Sequence, residues 1–430
     1  MSRSSQLIRF GMCALLLAGC EGGETGEVYE GDLVAAEAAL TASEVPTVRD
    51  ADMEAFGKAL NAFSHEFERA ADLNGSYVFS PFSYHSALSM TAYGAKGTTY
   101  DEMAKVLHLS GDKETAAALN GGMRLKLRYD GQAEKSRFEI ANRIWVDQSS
   151  AIEPDFSAGM DKYYKAPLKV VDFRHEYAKY VGVINTWVSN NTGKMIPKLL
   201  SEGALSPDTR LVLVNAVHFD GEWASKFDAI RTFDDKFTSR GRALDVRMMD
   251  LDAHAFVYYR SDEHKYQTAS MDYKDGKFAM LIVLPDAPDG LPDVAATLDA
   301  AELRKILDGQ DWHAGNILLP KFKVETEIAD EVNQKAFESL GMSLAFSGAA
   351  DFSGMVSNQS VLISKIVHKA VIDVDEAGTK AAAATAIVVG AMAGDISEDF
   401  IKFHADHPFA FFLYHKASGS VLFAGQYWGD

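Results

Sequence analysis

Glu376 to Ala386 reads E-A-G-T-K-A-A-A-A-T-A, and the chemistry open to it is that of its backbone rather than of any reactive side chain. Ahead of it, Lys369–Asp375 alternates, with Lys369, Val371, Asp373 and Asp375 on one face and Ala370, Ile372 and Val374 on the other, which predicts a strand. Glu376-Ala377-Gly378 then predicts a turn or hinge, because glycine reaches backbone angles closed to other residues. One reading of the alanine run beyond it is a surface helix capped by Thr379, since alanine is the best helix former. Continuing the strand period gives another. Thr379, Ala381, Ala383 and Thr385 would face one side, and Lys380, Ala382, Ala384 and Ala386 the other. Side chains this small can lie in water at little hydrophobic cost, yet can slip between two strands without large pockets, so the segment has the makings of a switch.

The frames that enzymes use are incomplete elsewhere. His65-Glu66 opens like the zinc motif H-E-x-x-H, but Arg69 stands where the second histidine is needed. Thr192-Gly193-Lys194 lacks the glycine spacing of a phosphate loop, and there is neither a G-x-S-x-G elbow nor a pair of C-x-x-C ligands. No metal, no cofactor and no enzymatic activity are expected.

The elements that would hold the stretch mix strands and helices without regular βαβ alternation, which predicts an α+β fold with large antiparallel sheets. Ala51–Ala71 carries a helical stripe at Phe56, Leu60, Phe63 and Phe67. Phe79–Leu109 reads as a helix pair. Ser80 caps the first helix and Pro81 fits its first position, while Gly94 ends it; Thr99 and Glu102 form a capping box for the second. Apolar runs predict strands at Phe138–Val146, Leu211–Phe219, Ala279–Pro285 and Ile317–Val324, and Val183–Trp187 is helical. Arg124, Lys126 and Arg128, with Lys135 and Arg137 nearby, read as a solvated basic face.

Asp375 to Ala386 resembles the reactive-loop hinge of inhibitory serpins: an acidic residue, Gly-Thr, then an alanine-rich run. Phe79–Leu109, Ile184–Leu200, Leu211–Trp223, Leu362–Ala386 and Asp406–Leu413 are similar to serpin segments as well, so the resemblance covers about residues 55 to 428. It implies a serpin-like fold of three β-sheets, surrounding helices and an exposed reactive-centre loop at about 376–402. It implies a hinge of Glu376, Gly378, Thr379, Ala381, Ala382, Ala383, Ala384 and Thr385, a shutter of Ser80, Ser83, Asn215 and His368, and a breach residue, Trp223. His368 would hydrogen-bond across the strand gap. Counting from Glu376 by the usual family length puts the scissile bond at Met392-Ala393. The implied function is suicide inhibition of serine proteases, with some cysteine proteases as further partners, by a metastable fold whose cleaved loop enters the central sheet and traps the acyl-enzyme. The alternative is a non-inhibitory serpin acting as a binding or structural module; such relatives tend to carry bulky or charged residues where this chain has Thr379 and Ala381–Ala384. Ala377 and Lys380 depart from the family pattern, as does Ala410.

The ends and the composition add a location. Arg3 and Arg9 precede a short apolar run, Phe10–Leu17, that suits a secretory signal. Leu17-Ala18-Gly19-Cys20 looks like a bacterial lipobox, implying a signal peptide over 1–19 and lipidation of Cys20. The only other cysteine, Cys13, lies inside that signal, so no disulfide framework is available. Residues 21–50, with eight acidic residues against one arginine, read as a flexible tether, which leaves 51–430 as the inhibitor domain. The expected site is the cell envelope, anchored at an outer membrane or cell surface through Cys20 alone. A net charge of −19 argues against nucleic acid and anionic lipid as partners. A monomer is expected.

Overall fold

A computed structural model describes residues 38–133, 136–166, 168–363, 365–366, 368–379 and 400–430, together with Leu33 and Ala35. The strands form three sheets. One runs, in order, Phe322–Ile328, His368–Val374, Gly378–Thr379, Leu211–Glu222, Ser136–Asp147 and Gln132–Ala133, with Lys169–Val171 added in parallel to Ser136–Asp147. The other two share the 20-residue strand Arg242–Ser261. Its first part, Arg242–Met248, pairs with Phe233–Ser239, and its middle, Met248–Tyr258, with Asp311–Pro320, which carries Ile401–His404 in parallel. Its last residues join Tyr266–Asp272, and the sheet continues through Phe278–Pro285, Phe409–His415 and Ser420–Tyr427 to Tyr77–Phe79. Four strands of this sheet, Phe278–Pro285, Phe409–His415, Ser420–Tyr427 and Tyr77–Phe79, are buried along their whole length. The core lies between the sheets, where the rings of Phe138, Phe219, Phe278 and Phe423 meet with centroids 5.6 to 6.5 Å apart.

The apolar stripe of the first long helix, Asp50–Ala71, is buried as its spacing requires, and Phe63 stacks on Phe337. The helix Pro81–Gly94 starts as its sequence predicts: the Ser80 hydroxyl accepts from the Ser83 N–H at 3.1 Å and Pro81 occupies the first position. The capping box predicted at Thr99 and Glu102 does not form. That helix begins earlier, at Gly97, and both side chains bond outside it: Thr99 accepts from the Asp351 N–H, and Glu102 from the N–H groups of Ser343 and Leu344. Tertiary donors have taken over the acceptors that the local pattern assigned to capping. The single run Ile317–Val324 is likewise two strands. The chain leaves one sheet at Pro320 and enters another at Phe322, a change of partner that an unbroken apolar pattern does not reveal.

Arg124 corrects the reading of a solvated basic face. It is fully buried and donates to the Tyr164 carbonyl at 2.5 Å, while Arg128 donates to the Ala38 carbonyl. The expected tether is also tied down in part. Leu33 is only 4 % exposed, packed in a second apolar cluster with Trp145, Tyr180, Ile184 and Trp187. Its carbonyl accepts from Arg143, whose guanidinium lies 4.4 Å from the Trp187 ring and 5.4 Å from the Trp145 ring. Leu40 and the Gln132 side-chain amide exchange two hydrogen bonds. Among the described residues no helix is long and apolar enough to cross a membrane.

Candidate functional site

The strand predicted at Lys369–Asp375 is present as His368–Val374, with burial alternating along it: His368, Ala370, Ile372 and Val374 point inward. At Asp375 the chain turns back. The Asp375 carboxylate accepts from the N–H groups of Ala377 and Gly378, an Asx turn, and the Asp375 N–H donates to the Gly378 carbonyl at 3.0 Å. Gly378 and Thr379 then lie between two strands. Thr379 pairs with Val374 on one side and Gly221 on the other, and Gly378 pairs with Glu222. The Trp223 N–H donates to the Ala377 carbonyl and the Phe227 N–H to that of Glu376, so the turn is fastened to the end of the Leu211–Glu222 strand.

Gly378 is used for closeness. Its φ is not positive, contrary to the role expected of a hinge glycine, but a Cβ there would sit 1.9 Å from the Gly221 carbonyl oxygen. Thr379 is 2 % exposed, and its hydroxyl shares a 2.6 Å hydrogen bond with the hydroxyl of Tyr273, itself fully buried. Burial pushes the Tyr273 phenol well up, with the Thr379 bond opposing that shift. Trp223 stacks on Tyr273 at 4.6 Å and 15°, and its indole N–H donates to the Asp375 carbonyl. Side chains as small as Thr379 can lie in water at little cost, yet Thr379 is enclosed. Glu376 is anchored by Lys321 at 2.8 Å and by the Thr232 hydroxyl at 2.8 Å. Burial pushes its carboxyl up, but the bonds from Lys321, its own backbone and Thr232 outweigh burial and hold it below the usual carboxylate range.

The other end of the same strand meets the helix Pro81–Gly94. The Ser80 N–H donates to His368 Nε2 at 3.0 Å, and the Ser80 hydroxyl donates to the Leu422 carbonyl at 2.6 Å. Tyr84 stacks on the His368 ring at 4.2 Å, and its hydroxyl donates to Asn333. Burial holds the imidazole neutral, pulling its pKa down to about 3. Ser80, Ser83 and His368 are therefore brought together at the cap of that helix. Asn215 lies on the Leu211–Glu222 strand opposite Asn142, but its side chain is outside the described residues, so a bond from it to His368 is not among the contacts seen.

Among the described residues, ladder pairing between the facing edges of His368–Val374 and Leu211–Glu222 runs only through Gly378 and Thr379, although the two strands also approach each other directly. The far end of the loop is held separately, by Ile401–His404 on Asp311–Pro320. Lys380, Ala381, Ala382, Ala383, Ala384, Thr385, Met392, Ala393 and Cys20 lie outside the described residues, as does the signal sequence. Among the described residues no group of three or more His, Cys, Asp or Glu side chains could hold a metal. Sequence reasoning missed Tyr273, Gly221, Thr232 and Lys321. The Asx turn had a local signal, Asp375 three residues before Gly378; the others reach the site only through the fold.

A three-sheet fold with a strand-entry point at the head of a tethered loop defines a class. The family model "Serpin (serine protease inhibitor)" matches residues 58–429, and the chain belongs to that family, which is one of inhibitors rather than enzymes. It is 34 % identical over 389 residues to the leukocyte elastase inhibitor of Xenopus tropicalis, covering 87 % of this chain and 99 % of that protein. Among solved structures it resembles cleaved Serpin 42Da, with 29 % identity, TM-score 0.76, and 87 % and 98 % of the two chains covered. It also resembles uncleaved ovalbumin, with 25 % identity, TM-score 0.77, and 86 % and 98 % covered.

Proposed function

We propose that the protein inhibits serine proteases as a suicide substrate. The observation that carries this reading is the seat of Thr379: the first residues of the loop are already paired between two strands whose facing edges have no other described partner. A protease serine Oγ attacks the carbonyl carbon of the scissile residue, taken as Met392. The bond to Ala393 breaks, its nitrogen leaves as an amine carrying the proton, and the acyl ester remains. The freed segment from Lys380 onward then extends the strand that Gly378 and Thr379 begin, with the small side chains Ala381–Ala384 and Thr385 following. Strand addition of this kind draws its energy from main-chain hydrogen bonds. The ester is carried along before it hydrolyses.

Between Lys380 and Lys402 there is no lysine or arginine, and Val388-Val389-Gly390-Ala391-Met392 suits apolar pockets of the elastase, chymotrypsin or subtilisin kind. The leukocyte elastase inhibitor relative is in keeping with this. The proposed setting is the cell envelope, with a monomer anchored through a lipidated Cys20.

The test mixes the protein with a panel of serine proteases. An SDS-stable covalent band with the apolar-specific enzymes, and none with trypsin, is expected, and mass spectrometry of the released peptide gives the bond cut. The cleaved protein should melt far above the intact one, because a central strand has been added. A melting point unchanged or lowered by cleavage within 387–395 removes the insertion mechanism and leaves the non-inhibitory reading.

A further inference from the structure

Three of the five tryptophans, Trp145, Trp187 and Trp223, are buried, and Trp428 is half-buried with its indole N–H bonded to Gln426. Trp312 is different: it is 65 % exposed, on a strand rather than a loose end. Just before the adjacent strand Ile401–His404 stands Phe400, itself 44 % exposed. The register explains why they share a face. Gly315 pairs with Ile401 and Asn316 with Lys402 in parallel, so Ala314 lies level with Phe400 and Trp312 stands two residues along the same outer row. Gly315 permits this closeness, since a Cβ there would be 2.1 Å from the Ile401 carbonyl oxygen. Ala314, level with Phe400, is itself exposed and carries only a methyl group.

Large aromatic side chains displayed together in water mark interaction surfaces more often than accidents, and Trp is a preferred hot-spot residue. The occupant follows from where the chain emerges. Phe400 is the first described residue after the loop, and by the scissile register above it lies seven residues beyond Ala393. At most about 3.5 Å per residue, that is a reach of about 25 Å. A protease domain of about 200 residues has a radius of gyration of about 16 Å, so its body is some 40 Å across. An enzyme seated on the scissile bond therefore overhangs Phe400 and Trp312. Because these residues lie beyond the bond, they meet the rim of the enzyme beside the primed side of its cleft.

We propose that Trp312 and Phe400 form an accessory docking surface for the target protease, one that takes an apolar patch bordering the primed side of the enzyme's active-site cleft. This rests on the inhibitory reading and adds a determinant of specificity outside the loop. The surface acts in the encounter, before acylation, so it sets the rate of association and leaves the later partition between trapping and hydrolysis alone.

The experiment compares wild type with Trp312→Ala and with Trp312→Ala combined with Phe400→Ser, against a protease that the wild type traps. Expected are a fall of at least tenfold in the second-order rate of complex formation for the double variant, an intermediate fall for the single one, and an unchanged stoichiometry, cleavage site and melting point. An unchanged rate overturns this proposal alone. Absence of any covalent complex with wild type across the panel overturns the inhibitory reading and this surface with it. Sedimentation gives a further check: a wild-type dimer that the substitutions convert to monomer assigns the face to self-association and overturns the proposal.

Discussion

Replacing Thr379 by arginine tests the seat most directly. In the intact protein the Thr379 hydroxyl meets Tyr273, whose ring is backed by Trp223 and by Phe219 edge-on at 4.6 Å, so an arginine at the same place would bury an unpaired guanidinium among aromatic rings. The effective penalty is several kcal/mol even after relaxation. Leaving the seat instead breaks the pairs at Gly378 and Thr379, at ~1 kcal/mol net per hydrogen bond, and strands the Tyr273 hydroxyl at a cost of ~1 to 3 kcal/mol. The cheaper course is to leave, so Thr379→Arg should fold with its hinge displaced and melt measurably below wild type. The larger effect comes after acylation. Re-entry must then place the arginine against the core, and a penalty of about 4 kcal/mol slows insertion roughly a thousandfold. Deacylation keeps its own rate, so the variant should be cleaved as an ordinary substrate. The assay is titration of a subtilisin- or elastase-like protease, with complex and cleaved inhibitor resolved by SDS gel and melting followed in parallel. One-to-one trapping with an unshifted melting point would refute the reasoning, since both arms depend on Thr379 being enclosed.

Gly378→Ala should unseat the same turn by contact rather than charge, because its Cβ meets the Gly221 backbone, and amide hydrogen exchange at Thr379 should lose protection. His368 gives a pH dependence. With its folded pKa near 3 and an unfolded value of about 6.5, the unfolded chain binds a proton that the folded one refuses, so its contribution is complete above about pH 6.5 and falls as pH drops toward 3. His368→Gln should flatten the slope of melting temperature against pH between 6.5 and 4, and an unaltered slope rejects the assignment. Leu33→Asp should lower the melting point by placing a carboxylate beside Trp145 and Trp187, with a cost in the range of ~2 to 5 kcal/mol set by loss of the buried side chain; no change would show that Leu33 contributes nothing to the fold.

The strand leading to the hinge was legible because its alternation is strict and one face is buried, and the Ser80-Pro81 helix start because capping is local chemistry. The failures share one cause. Thr99 and Glu102 have the spacing of a capping box, yet their acceptors are claimed by the N–H groups of Asp351, Ser343 and Leu344, some 240 to 250 residues away along the chain. Arg124 sits in a basic run and is buried because the Tyr164 carbonyl meets it from another helix. Leu33 lies in an acidic, glycine-rich stretch whose composition describes the average residue, and a single leucine with one apolar pocket escapes that average. Gly378 was picked out for the wrong property: the sequence shows that a side chain is absent, and only the approach of Gly221 shows why.

Seating Thr379 changes how the energy of the loop divides. The entry step, usually the costly one because it must open a strand pair before any new bond forms, is here already taken, with its hydrogen bonds made and its side chain enclosed. Each residue after Thr379 would donate one ladder hydrogen bond and accept another, ~2 kcal/mol net, against about 1 to 2 kcal/mol of backbone entropy, so a small gain per residue accumulates along the strand although alanines add little buried area. The loop's other end opposes the step as well. Ile401–His404 is bonded along Asp311–Pro320, so in the intact chain every residue drawn inward shortens the span left to the remainder. Cleavage abolishes that opposition at once, while the seat at Thr379 stays in place as the template for the incoming strand. On this accounting the seat and the far tether work as a pair. On the proposed mechanism the seat would remove the nucleation barrier, the tether would keep the intact protein from using it, and a protease would be the agent that separates the two.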